Sequence, residues 1–183
     1  MLDQVAATGA VSGISHVILG VSNLIVARDF YDAFGLAPVG VDIWPDCGAN
    51  FVYRLPSGQY LIIAEGAGPL EPDLTAAHVG LAVSPSARGR IARALAGSGH
   101  KVFDYHEDDP VEARSNYYVH DPDGNRLQLV DRDGGEGVTA IDHVALEVSD
   151  IIWAEAFYGT GLDWSLKHRV GWNTQDYLTA KAK

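Results

Sequence analysis

A seven-residue phrase occurs three times in the chain, and no other feature restricts its fold as strongly. It reads His16-Val17-Ile18-Leu19-Gly20-Val21-Ser22, then His78-Val79-Gly80-Leu81-Ala82-Val83-Ser84, then His143-Val144-Ala145-Leu146-Glu147-Val148-Ser149. The copies stand roughly 62 and 65 residues apart, longer than most solenoid periods and enough for one strand, one helix and three further strands per repeat. In a strand, successive side chains point to opposite faces. The Val, Leu and Val of each phrase therefore share one face while the histidine lies on the other. The three histidines hold equivalent places.

After the first phrase, Ser22 or Asn23 supplies a side-chain oxygen for the free amides of a helix, whose apolar stripe is Leu24, Ala27, Tyr31 and Phe34. Gly35 ends it. Strands are expected over 37–43, 50–55 and 59–64, the last two joined at Pro56-Ser57-Gly58. The second unit repeats the plan. It has a strand over 77–83, a helix opened by Ser84-Pro85 with Ala87, Ile91, Ala94 and Leu95 inward, and strands over 101–105, 114–120 and 126–130. Arg88, Arg90 and Arg93 read as its solvated face. Asp121-Pro122-Asp123-Gly124 turns the final hairpin, and aligning it with Leu55-Pro56-Ser57-Gly58 sets Ile62 opposite Gln128. Glu65 falls out of phase with that position.

From Ile141 to Tyr158 the third unit matches Ile14 to Tyr31, and after Gly161 only about 22 residues remain, too few for three more strands. The domain reading is a mobile lead-in over 1–12, paired units over 13–66 and 76–132, and an incomplete third unit over 140–183. The fold class is α+β, built from βαβββ units in tandem. The third unit's apolar strand and helix need cover from the rest of the chain or from a second copy, and a homodimer is the expectation.

A net charge of −11 argues against a nucleic-acid partner, which needs clustered Lys and Arg. No apolar run approaches the length of a membrane span, and the N-terminus lacks the pattern of a signal peptide. Cys47 is the one cysteine, so no intrachain disulfide forms, and a cytoplasmic location is the default expectation. The acidic run Glu107-Asp108-Asp109 with Glu112 reads as a solvated loop.

The repeated βαβββ pattern, the histidine opening each first strand, the Phe-Tyr helix end and the Asp-Pro-Asp-Gly-Asn hairpin together resemble the vicinal oxygen chelate superfamily, which includes glyoxalases, bleomycin-resistance proteins and extradiol dioxygenases. The resemblance implies two units curling a mixed sheet around a shared cavity, with metal ligands on the first and last strands of each. By position these are His16, Ile62, His78 and Gln128. Isoleucine cannot ligate, so the implied set is His16, His78 and Gln128 around Fe, Mn, Zn or Ni. The amide of Gln128 replaces the acidic residue of the extradiol pattern and leaves the site one negative charge short. Tyr118 and His120 are candidate proton donors. Trp44, Phe51, Tyr53, Tyr60 and Tyr117 are candidate surfaces for a planar small-molecule substrate. Two functions are implied: a metalloenzyme acting on vicinal oxygens, of dioxygenase, isomerase or lyase type, or a metal-free small-molecule-binding resistance protein. His143 has no last strand of its own to complete a ligand pair.

Overall fold

The structure, a computed structural model, describes residues 11–45, 47–66, 77–103 and 116–164. The acidic run, most of the N-terminal lead-in and the residues after Trp164 lie outside the described residues. The chain divides into one compact unit over 14–147 and a second made of 1–13 with 148–183.

The larger unit holds two sheets. In the first, β1 (His16–Val21), β2 (Pro38–Val41), β3 (Asn50–Arg54) and β4 (Tyr60–Glu65) are ordered β1-β4-β3-β2, with α1 (Leu24–Asp32) after β1. In the second, β5 (His78–Val83), β6 (Val102–Phe103), β7 (Asn116–His120), β8 (Arg126–Asp131) and β9 (Val138–Ala145) are ordered β6-β7-β8-β5-β9, with α2 (Pro85–Gly97) after β5. Each first strand runs parallel to the last strand of its own repeat, β1 with β4 and β5 with β8. The repeat predicted from the phrase is therefore present twice in full, and its third first strand, β9, is added antiparallel to β5.

Local chemistry accounts for the helices. Asn23 Oδ1 accepts from the amides of Ile25 and Val26, and Ser84 Oγ accepts from Ala87 with proline next to it at the helix start. The inward faces are Ala27, Phe30 and Tyr31 on α1 and Ala87, Ile91, Ala92 and Leu95 on α2. Ala92 takes the place expected of Ala94, which is exposed. Arg88 departs from the expected solvated face: it pairs with Asp131 at 2.6 Å and lies over the Tyr117 ring. Both helices pack on Leu61, Ile63, Leu81, Val83, Leu127 and Leu129 in one continuous core. Truncating one such leucine to alanine costs about 2–5 kcal/mol.

The Asp121–Asn125 turn of the second repeat is seated on the first. Asp123 Oδ1 accepts from the Ser22 amide at 2.9 Å, and Asn125 Nδ2 donates to the Gly20 carbonyl at 2.8 Å. Tyr31 Oη donates to Asp121 Oδ2 at 3.0 Å, in the buried interior. Asp121 Oδ1 accepts from the amides of Asp123 and Asn125, and Oδ2 also accepts from Asn125 Nδ2. Burial raises the Asp121 carboxyl above its ordinary range although these donors pull it down, and burial followed by the Asp121 charge pushes the Tyr31 phenol well up.

The smaller unit contains α3 (Ile151–Ala156), capped by Asp150, and a π-helical turn over Phe157–Gly161. Tyr158 stacks on Trp164 at 5.1 Å, while Ile151, Ile152, Trp153 and Phe157 are exposed. None of the described helices is long and apolar enough to cross a membrane.

Tyr31→Phe removes the one side-chain hydroxyl donor to a buried carboxylate, and we expect it to cost about 1–3 kcal/mol at pH 7. Losing that donor raises the folded-state pKa of Asp121 further, so the penalty is full where the carboxyl is charged. It shrinks as the pH falls through the raised folded-state value. Urea unfolding of both proteins at pH 7 and in steps down to pH 4 checks magnitude and sign.

Candidate functional site

The outward face of the second sheet carries a cross-strand row: His143 on β9 is opposite Gly80 on β5, Gly80 opposite Gln128 on β8, and Gln128 opposite Tyr118 on β7. Side chains directly across neighbouring strands point the same way. His143 and Gln128 are two strands apart, so their backbones are separated by about 9–10 Å. Gly80 between them offers no side chain. His78, two residues earlier on the same face of β5, fills that gap with its ring. His78 Nε2 lies 3.0 Å from Gln128 Oε1 and 3.0 Å from His143 Nε2. The rings of His78 and His143 meet edge to face, and so do those of His78 and Tyr118.

The glycine is a geometric requirement. A Cβ at Gly80 would lie 2.9 Å from His143 Nε2 and collide with Cε1 and Nδ1 of the same ring. Behind the site, His143 Nδ1 meets Asp142 Oδ2 at 2.7 Å, and Arg132 grips the same carboxylate through Nε at 2.6 Å and Nη2 at 3.1 Å. Burial alone raises the Asp142 carboxyl. The hydrogen bonds from His143 and Arg132, with the Arg132 charge, outweigh it and leave the group below its ordinary range.

Two imidazole nitrogens and an amide oxygen are donors that a divalent ion can take. Ligands about 2.1 Å from an ion and at right angles to one another are about 3.0 Å apart, the spacing found on both sides of His78 Nε2. No three His, Cys, Asp or Glu side chains gather as ligands among the described residues, because the third donor here is a neutral amide.

His78 and Gln128 thus lie within hydrogen-bond distance of one another, and the third side chain beside them is His143. His16 lies on the first sheet, bonded to Ser15 Oγ through Nδ1 at 2.8 Å and 4.8 Å from the Trp44 ring. Trp44 also meets Tyr60, the β4 partner of His16, at 5.7 Å. The segment bearing Trp44 is held by Asn50, whose Nδ2 donates to the carbonyls of Trp44, Cys47 and Gly48. Ile62 on the same face is fully buried. That face of the first repeat is therefore lined by aromatic and aliphatic groups around one histidine.

Of the proposed aromatic surface, only Trp44 and Tyr60 gather near that histidine. Tyr53 and Tyr117 are corrected to core residues, and Phe51 is packed against the core beneath the Arg28 guanidinium. All three sit on strand positions in phase with the helix-facing side, which their aromatic character alone did not reveal. Tyr118 is almost buried, between His78 and the Arg126 guanidinium that lies 4.5 Å over its ring. His120 is half-buried two residues further along the same face. Gly80, Asp142 and Arg132 were not recognised from sequence. Gly80 had a signal, as the one glycine at the third position of any of the phrases.

No family model and no curated protein matches the sequence. Solved structures do match its fold. A glyoxalase/dioxygenase from Nostoc punctiforme is 22% identical over 73% of this chain and 100% of its own, with a TM-score of 0.54. Oxidase ChaP-H1 is 25% identical over 67% of this chain and 98% of its own, with a TM-score of 0.50. The fold is that of the vicinal oxygen chelate superfamily. The fosfomycin resistance protein FosX from Listeria monocytogenes, complexed with Mn(II) and sulfate, shares it at 18% identity over 66% of this chain and 90% of its own, with a TM-score of 0.50.

Gly80→Ala should expel the His143 ring from His78 while leaving the circular dichroism spectrum unchanged. The check is side-chain nitrogen NMR, in which the His78 and His143 resonances should both move and those of His16 should not.

Proposed function

We propose that the chain is a divalent-metal protein whose ion is held by His78, Gln128 and His143, and that it is an enzyme acting on a small organic substrate with adjacent oxygen atoms. The observation that carries this reading is the convergence of two imidazole nitrogens and an amide oxygen at one point of the outward sheet face. The Mn(II) bound by FosX, a protein of the same fold, supports the metal class. Three protein ligands on one side leave room for substrate on the other, and the ion would supply Lewis-acid stabilisation of charge on the substrate oxygens.

The protein's own groups have separate tasks. Gly80 leaves the space in which the two imidazoles meet. Tyr118 fixes the His78 ring from the side, and Arg126 covers Tyr118. His120, on the same face and two residues from Tyr118, is the other candidate proton donor and is less buried than Tyr118. Tyr118, being nearly buried, is placed to orient His78.

A second reading follows from the absence of a carboxylate in the donor trio: a metal-free protein that binds a small molecule on this face. Titration with Mn(II) and Co(II), followed by calorimetry and elemental analysis, separates the two. One ion per chain is expected. His78→Ala, His143→Ala and Gln128→Ala should each weaken binding by at least about tenfold, since even losses outside the ligand shell cost about 10–100-fold. His16→Ala should leave it unchanged. Gln128→Glu should tighten it by adding a charged oxygen. Equal and negligible binding by wild type and Gln128→Glu selects the metal-free reading.

A further inference from the structure

The strand that brings His143 to the site is irregular at one residue. Gly80 is paired with His143 and the next residue of β5, Leu81, with Ile141, so Asp142 is an extra residue with no partner on β5. Such a bulge interrupts the alternation of side chains and re-aims them. In a regular strand, Asp142 and His143 would point to opposite faces. Here Ile141 is in the core, Val144 is packed against it, and the two residues between them both turn away from it. The bulge therefore places a carboxylate beside the imidazole of its own neighbour.

We propose that Asp142 is a positioning residue for His143, with Arg132 as its anchor; this inference rests on the metal-site reading above. The carboxylate accepts from His143 Nδ1 at 2.7 Å, which places the single proton of a neutral imidazole on Nδ1 and leaves the Nε2 lone pair directed at His78. A free histidine divides its proton between both nitrogens and turns about two side-chain bonds. The hydrogen bond removes both freedoms. Arg132, whose amide donates to the Val83 carbonyl at the end of β5, binds both carboxylate oxygens and holds Asp142 against rotation. The carboxylate also makes the imidazole a stronger donor toward a cation. This matters more here than where the protein supplies a carboxylate ligand, because the third donor is the neutral Gln128. The charge missing from the ligands stands one bond network behind them.

Long-range proton–nitrogen NMR of the metal-free protein and Mn(II) or Co(II) titration together test the proposal. Wild type should show His143 protonated on Nδ1, and Asp142→Ala should lose that preference while keeping the fold. Its metal affinity should fall by about tenfold or more, the range known for such outer contacts. Asp142→Asn keeps one acceptor oxygen without the charge and should fall between the two. An Asp142→Ala protein with the wild-type tautomer, or with affinity within about twofold of wild type, overturns the proposal. If alanine disturbs β9, an Asn variant with affinity within about twofold overturns it as well. If wild type binds neither ion, the metal-site reading fails, and the tautomer measurement still decides whether Asp142 orients His143.

Discussion

The antiparallel pairing of β5 with β9 is the contact from which the candidate site follows. His78 is opposite Ala145, Val79 opposite Val144 and Gly80 opposite His143, so the two copies of the phrase meet about a local two-fold centred on the valines. Each histidine faces the third residue of the other strand. That residue must be small if the imidazoles are to approach one another, and it is glycine in one strand and alanine in the other. Backbone hydrogen bonding sets the register, and residue volume permits the contact.

The pairing is secured from outside the second sheet as well. Gln59, at the turn before β4, donates through Nε2 to the carbonyls of Ile14 and Ile141 and accepts from the Ile141 amide through Oε1. The Ser57 amide donates to the Thr139 carbonyl. These bonds satisfy part of the outer edge of β9 and tie it to the first repeat, one residue before the bulge. With the Asp121 turn seated on Ser22, Gly20 and Tyr31, the two complete repeats hold one another by polar contacts at both ends of a shared apolar core. Each such bond contributes modestly, about 0.5–1.5 kcal/mol, but leaving any of them unmade in the interior costs more.

Much of the fold was legible because the phrase repeats with its strand period intact. Element order and boundaries of the two full repeats follow from alternation, caps and turn residues. His78 and Gln128 were legible as a pair because they occupy neighbouring strands of one unit. His143 was not, because its partners come from another repeat and no local pattern encodes which first strand it joins. The start of β9 was obscured for a physical reason. Its core residues Val138, Ile141 and Val144 recur every third position, since single extra residues at Thr139 and Asp142 break the period of two. A strand with two bulges has no strand signature. Phe51, Tyr53 and Tyr117 show the converse: strand phase held the information, and residue type pointed elsewhere.

Ile18 stands in β1 where Gly80 stands in β5, and Trp44 rests on the histidine beside it. An isoleucine at this position occupies space of the kind that the His143 ring takes over Gly80, so the two repeats differ in volume at the point where the third phrase meets the second. Two copies of one phrase thus differ, through the volume of a single side chain, in what they leave room for. The symmetry of a repeat can be lost in this way without altering its backbone.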